Sequence, residues 1–185
     1  MPIIMKIKNN TGFTLIELIV AIGILGVMAV AAMAALNPFA QFQKANDAKR
    51  KADLSQIQKA LETYYQDYGQ YPAYVLDSGY YYLNPVVTPP ATTAEKKWGT
   101  SWQPYMNVLP IDPTSSKSYV YYSTTNNRQS YYLYASLDRG GNDPEACNKG
   151  ATCKGLTANV IPTTACGSGP GVVCNYGVAS PDVTP

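Results

Sequence analysis

From residue 13 to residue 36 the chain runs for 24 residues with a single charged side chain, Glu17. An apolar run longer than about 18 residues reads as a membrane-spanning helix. At the helical rise it extends about 36 Å, enough to cross a hydrocarbon core about 30 Å thick. A secretory signal is a poor account of it. Small-x-small sites exist at Ala29-Val30-Ala31 and Ala32-Met33-Ala34, but signal cores run only about 7–15 residues. A plain signal anchor accounts for the length and leaves Glu17 without a reason, since a carboxylate at membrane depth is costly. Ala21, Gly23, Gly26, Ala29, Ala31, Ala32, Ala34 and Ala35 would let helices approach closely, while Ile16, Leu18, Ile19, Ile22 and Leu25 supply greasier surface.

Beyond the run, Asn37-Pro38 predicts a kink or a locally melted turn, because proline removes a backbone donor and clashes with the preceding turn. Ala45, Ala48, Ala52, Ile57, Leu61, Tyr64, Tyr65 and Tyr68 then recur at spacings near 3 and 4, with Leu54 alongside. This pattern predicts an amphipathic continuation over 37–70, with Asp47 and Lys51 paired on its solvent side. Gly69 and Pro72 supply the stop. A straight helix from residue 13 to residue 68 would reach about 80 Å, a length no small globular domain needs.

The remaining chain leaves room for one domain. Residues 71–117 read as an irregular connection, with a short strand at Tyr80-Tyr81-Tyr82-Leu83. The region 118–137 reads as an antiparallel hairpin, with strands over 118–123 and 130–135 and Asn126-Asn127 in the turn. Residues 138–185 form a loop-rich tail holding all four cysteines, Cys147, Cys153, Cys166 and Cys174. In an exported chain an even count in such a segment predicts two disulfides. Three pairings exist, and Cys147–Cys153 with Cys166–Cys174 is the simplest. Zinc is the rival, but the spacings miss the usual ligand pattern and the chain has no histidine.

Charge and composition exclude more than they assert. Lys+Arg total 14 and Asp+Glu 12, so no broad basic footprint for nucleic acid exists. The absence of histidine removes the commonest general base, and neither a phosphate-cradling glycine loop nor a nucleophile elbow is present, so an enzyme is not expected. Tyr80, Tyr81 and Tyr82 near Lys96 and Lys97 offer a thin stacking site for single-stranded DNA. Tyr64, Tyr65 and Tyr68 suit packing between helix and sheet.

Gly12-Phe13-Thr14-Leu15-Ile16-Glu17-Leu18 resembles the class III leader site of type IV pilins and type II secretion pseudopilins. The resemblance implies a leader over 1–12, cleavage after Gly12 by prepilin peptidase, N-methylation of Phe13, and a retained membrane helix over 13–36. It also implies that Glu17 pairs with the N-terminal amine of a neighbouring copy during filament assembly. A carboxylate in an apolar medium needs a cation, and the freed amine supplies one. Residues 61–72 are similar to the helix end of the major pseudopilins, and Trp98, Trp102-Gln103-Pro104-Tyr105-Met106 and Leu109-Pro110-Ile111-Asp112-Pro113 are similar to that family's W…PY…LP.DP segment.

The same family carries a calcium loop after its last clear strand. Here Asp138-Arg139-Gly140-Gly141-Asn142-Asp143-Pro144-Glu145 occupies that place without the longer glycine-rich pattern. A turn with solvated carboxylates is the plainer reading, and calcium at Asp138, Asn142 and Asp143 the alternative. Lys44, Lys49, Arg50 and Lys51 follow the span while only Lys6 and Lys8 precede it, which runs against positive-inside counting. The leader site decides the orientation.

The expected fold is therefore α+β and pilin-like, a long N-terminal helix on a small antiparallel sheet with a disulfide-stapled tail. The expected function is a structural subunit of a type IV pilus or secretion pseudopilus. Its implied partners are copies of itself, prepilin peptidase, the inner-membrane assembly machinery and, before assembly, membrane lipid. Its implied location is a single pass of the cytoplasmic membrane and then an extracellular or periplasmic filament. The alternatives are a minor pilin serving as adhesin or DNA-uptake receptor, and a membrane-anchored binding domain that never polymerises.

Overall fold

A computed structural model describes residues 12–85 and 95–185. The expected leader, apart from Gly12, and part of the 71–117 connection lie outside the described residues. The chain divides into two compact units, residues 1–41 and 42–185.

The first unit is dominated by helix α1, Leu15–Leu36, whose residues are exposed along its whole length. None of its apolar side chains is buried among the described residues. Asn37 ends α1 in the left-handed region, at φ 41°, and its side-chain oxygen accepts the N–H of Ala40. Pro38 opens helix α2, Pro38–Tyr68, at the first position, where its missing donor costs nothing. The Asn-Pro signal thus resolves into a stop and a restart within one residue.

In the second unit, α2 packs against a three-stranded antiparallel sheet ordered β3-β4-β5: β3 is Val120–Ser123, β4 Tyr131–Ala135 and β5 Tyr176–Ala179. Side-chain alternation divides the sheet into two cores. Tyr119, Tyr121, Tyr131, Leu133 and Ala135 meet Leu54, Ile57, Leu61 and Tyr64 of α2, with Trp102 and Leu109. Val120, Tyr132 and Tyr134 face the other way and are covered by Cys153, Leu156, Ile161, Cys166 and Cys174. The central strand β4 is buried throughout because it is covered on both faces. The tail is therefore the second layer of the domain. It includes the short helix α3, Lys154–Ala158, and contributes the edge strand β5.

The disulfides are Cys147–Cys153 and Cys166–Cys174, the local pairing. They are joined through the backbone, since Cys153 N–H donates to the Cys174 carbonyl. The connection holds more order than its composition suggests. Strands β1, Ala73–Asp77, and β2, Tyr80–Asn84, form a second antiparallel sheet closed by Ser78 and Gly79, both at positive φ.

The tyrosines are mostly structural. The Tyr121 hydroxyl donates to the Pro72 carbonyl at 2.7 Å, whereas the buried Tyr134 hydroxyl has no partner among the described residues. Tyr121→Phe is expected to lower unfolding free energy by about 0.5–1.5 kcal/mol and Tyr134→Phe to leave it level or raise it. Urea denaturation of the two variants beside the parent measures the difference.

Candidate functional site

Two clusters carry the chemistry: the start of α1, and a buried ionic network at the start of the second unit.

Thr14 is the N-cap of α1, in extended conformation. Its hydroxyl oxygen accepts the Glu17 N–H at 3.3 Å, while its own N–H and hydroxyl both donate to Glu17 Oε2, at 2.9 and 2.7 Å. This reciprocal capping box satisfies backbone donors left over at a helix start and holds the carboxylate in the first turn, where the helix dipole favours negative charge. Phe13, one residue before the cap, is exposed. Gly12, Phe13 and Glu17 are thus brought together at one helix end. Thr14 was not among the sequence-derived candidates, although Thr-x-x-Glu before an apolar run is its readable signature.

The second cluster centres on Arg50, which is fully buried. Its Nε and Nη2 grip Asp112 side-on at 2.8 and 3.0 Å, Nη1 reaches Asp47 at 2.8 Å and Asp138 at 2.9 Å, and Nη2 also reaches Thr114 at 2.9 Å. All five guanidinium donors are used. Asp47 accepts the backbone N–H groups of Asp138 and Arg139, and Lys117 donates to Asp138 at 2.6 Å and to the Ser136 carbonyl. Next along the helix, Lys51 reaches Asp143 and Glu145, each at 2.7 Å. Lys49 pairs with Asp53, which also accepts the Tyr119 hydroxyl.

Burial alone would lower the Arg50 pKa, but its bonds to Asp112 and Asp138 prevail and raise it. Burial pushes Asp138 and Asp143 upward. Lys117 and Arg50 on the first, and Lys51 on the second, outweigh it and hold both carboxyls low.

This geometry corrects two expectations. Asp47 and Lys51 are not a solvent-side pair: Asp47 is only 5% exposed, and both turn inward to the 138–145 segment. Ala45, Ala48 and Ala52 are exposed, so the buried stripe of α2 begins instead with Asp47, Arg50 and Asp53. The calcium reading also meets an obstacle. Asp138 and Asp143 are held by side-chain cations, and among the described residues no group of three acidic, Cys or His side chains could hold a metal ion. The donor set does not fit calcium. The thin DNA site fares similarly. Lys97 lies over Tyr82 but is bonded to Asp77 at 2.7 Å, with Glu95 beside it, so carboxylates stand where phosphate would approach.

Residues 37–152 match the family model for type II secretion system protein G. The chain belongs to that family. Residues 7–33 match the prokaryotic N-terminal methylation motif. No curated protein and no solved structure gives a significant match. The protein G segment contains both halves of the Arg50–Asp112 clamp, and Asp112 is the aspartate of the Leu-Pro-Ile-Asp-Pro run. The chain is a pilin-like subunit of the pseudopilin kind, with an N-terminal helix long and apolar enough to cross a membrane. This family is one of structural subunits.

Breaking a buried ion pair by removing one partner is strongly destabilising. Arg50→Met, which leaves three aspartates facing a neutral side chain, is expected to cost about 3–5 kcal/mol in urea denaturation. The depressed carboxyls of Asp138 and Asp143 contribute stability that is fully present above their unfolded pKa and is lost as pH falls through the folded values. Melting temperature is therefore expected to hold from neutral pH down to about 4 and to fall below it. A decline already complete at about pH 6 would point to other groups.

Proposed function

We propose that the chain is the repeating subunit of a pilus-like filament, cleaved after Gly12 by prepilin peptidase and polymerised through α1. The observation that carries this reading is the lone carboxylate: Glu17 sits in the first turn of an otherwise apolar, fully exposed helix, immediately after Gly12-Phe13. Removal of residues 1–12 leaves Phe13 as the new terminus, and its amine stands four residues before Glu17. In an apolar setting the two opposite charges of adjacent copies attract strongly, and their pairing fixes the axial offset between copies.

Thr14 acts as a positioning residue in this scheme. It holds Glu17 by two hydrogen bonds in the separate subunit, so the carboxylate is solvated by its own chain while the helix lies in lipid. Gly23 and Gly26, with the alanines of α1, allow close helix approach once copies meet. The second unit, with two cores and two disulfides, forms the outer wall. Membership of the protein G family favours a secretion pseudopilus over an adhesive or DNA-uptake role.

Glu17→Ala is expected to be cleaved normally and to give few or no sheared filaments. Intact-mass measurement of membrane-extracted protein reads the first outcome, and electron microscopy with quantitation of sheared material reads the second. Abundant normal filaments from Glu17→Ala would refute the pairing. Gly12→Val is expected to retain the leader, seen as a heavier chain.

A further inference from the structure

Residues 138–145 carry two net negative charges, from Asp138, Asp143 and Glu145 against Arg139. A glycine-containing acidic segment of this kind needs compensation before it packs on a helix. Three side chains from outside the segment provide it. Arg50 and Lys117 take the two oxygens of Asp138, and Lys51 takes the carboxylates of Asp143 and Glu145. Each donor comes from a neighbouring part of the fold, two from α2 and one from the approach to β3. The Lys51 ammonium also lies 5.4 Å from the centre of the Tyr176 ring, which fixes its stem.

The backbone geometry is set for this arrangement. Gly150, at φ +89°, lets the Cys147–Cys153 loop press onto the same segment, where a Cβ would come within 2.3 Å of the Gly141 nitrogen. The segment is thus clamped from one side by cations and from another by a stapled loop. The position is the one at which the sequence resemblance implies a calcium loop.

We infer that Arg50, Lys51 and Lys117 are resident side-chain cations that do the ordering work of a metal ion on residues 138–145, so that this subunit holds its fold independently of calcium. A fixed cation differs from a bound ion in its consequences. It cannot be removed by chelation or by dilution into a calcium-poor medium, and it makes the segment's order a property of the chain alone. A bound ion stabilises only to the extent that its concentration exceeds its dissociation constant.

The test uses the full chain in detergent micelles, melted in excess EDTA and in millimolar calcium chloride at ionic strength matched with sodium chloride. The parent is expected to give the same midpoint in both. The double variant Lys51→Gln, Lys117→Gln keeps Arg50, so the buried clamp remains and the domain folds, as circular dichroism will report. Its midpoint is expected to fall by about 4 °C or more in EDTA and in calcium alike. A parent whose midpoint rises by about 4 °C or more in calcium would overturn the inference. So would a double variant that loses nothing. None of these outcomes depends on whether the chain forms filaments, so failure here leaves the assembly reading to its own experiment.

Discussion

A carboxylate on an apolar helix has to be solvated by something other than water, and this requirement organises the protein. Glu17 meets it first within its own chain, through the Thr14 N–H and hydroxyl. In the proposed filament a neighbour's terminal amine meets it again, with a full positive charge. The exchange is favourable because the amine neutralises a carboxylate that the Thr14 donors leave charged, and opposite charges attract most strongly where the surroundings are apolar. It also requires a free amine at Phe13, which is why cleavage must precede assembly in this account. In the proposed filament, neighbouring copies also cover the apolar surface that α1 exposes.

The second unit solves a different problem with similar chemistry. Its helix face changes character along its length, ionic at Asp47, Arg50 and Asp53, then apolar at Leu54, Ile57, Leu61 and Tyr64. The ionic half binds loops that have few apolar side chains to offer, residues 112–114 and 138–145. The apolar half binds the sheet. This division also accounts for the basic run that disagreed with positive-inside counting. Lys49, Arg50 and Lys51 are each engaged by carboxylates in the folded unit, so their placement after the span answers to the fold.

Much of this was legible in the residues. The long apolar helix, the Asn-Pro break, the hairpin of β3 and β4 and the buried positions Leu54, Ile57, Leu61 and Tyr64 follow from periodicity and turn chemistry, and the local disulfide pairing is the simplest of the three that the cysteines allow. Strand β5 was not legible, because Gly177 and the glycine- and asparagine-rich approach mask a pairing fixed only by the buried edge of β4. Strand β1 was hidden in a Tyr/Pro-rich stretch whose order comes from pairing with β2. Arg50 was the largest omission. An arginine on a helix reads as solvent-facing by default, and its partners Asp112 and Asp138 lie 62 and 88 residues away. Only tertiary structure brings together charges so far apart in sequence. The weak hint was Asp47 three residues before Arg50 on the same face.

In the proposed filament, α1 polymerises by pairing Glu17 with the Phe13 amine of another copy. Electron cryomicroscopy of sheared filaments, at a resolution that shows side chains, tests it most directly. The expected density shows α1 at the filament axis, a processed N-terminus, and the Glu17 carboxylate within about 3 Å of a neighbouring copy's Phe13 nitrogen. A filament with α1 at its periphery, or with Glu17 turned away from every N-terminus, would contradict it.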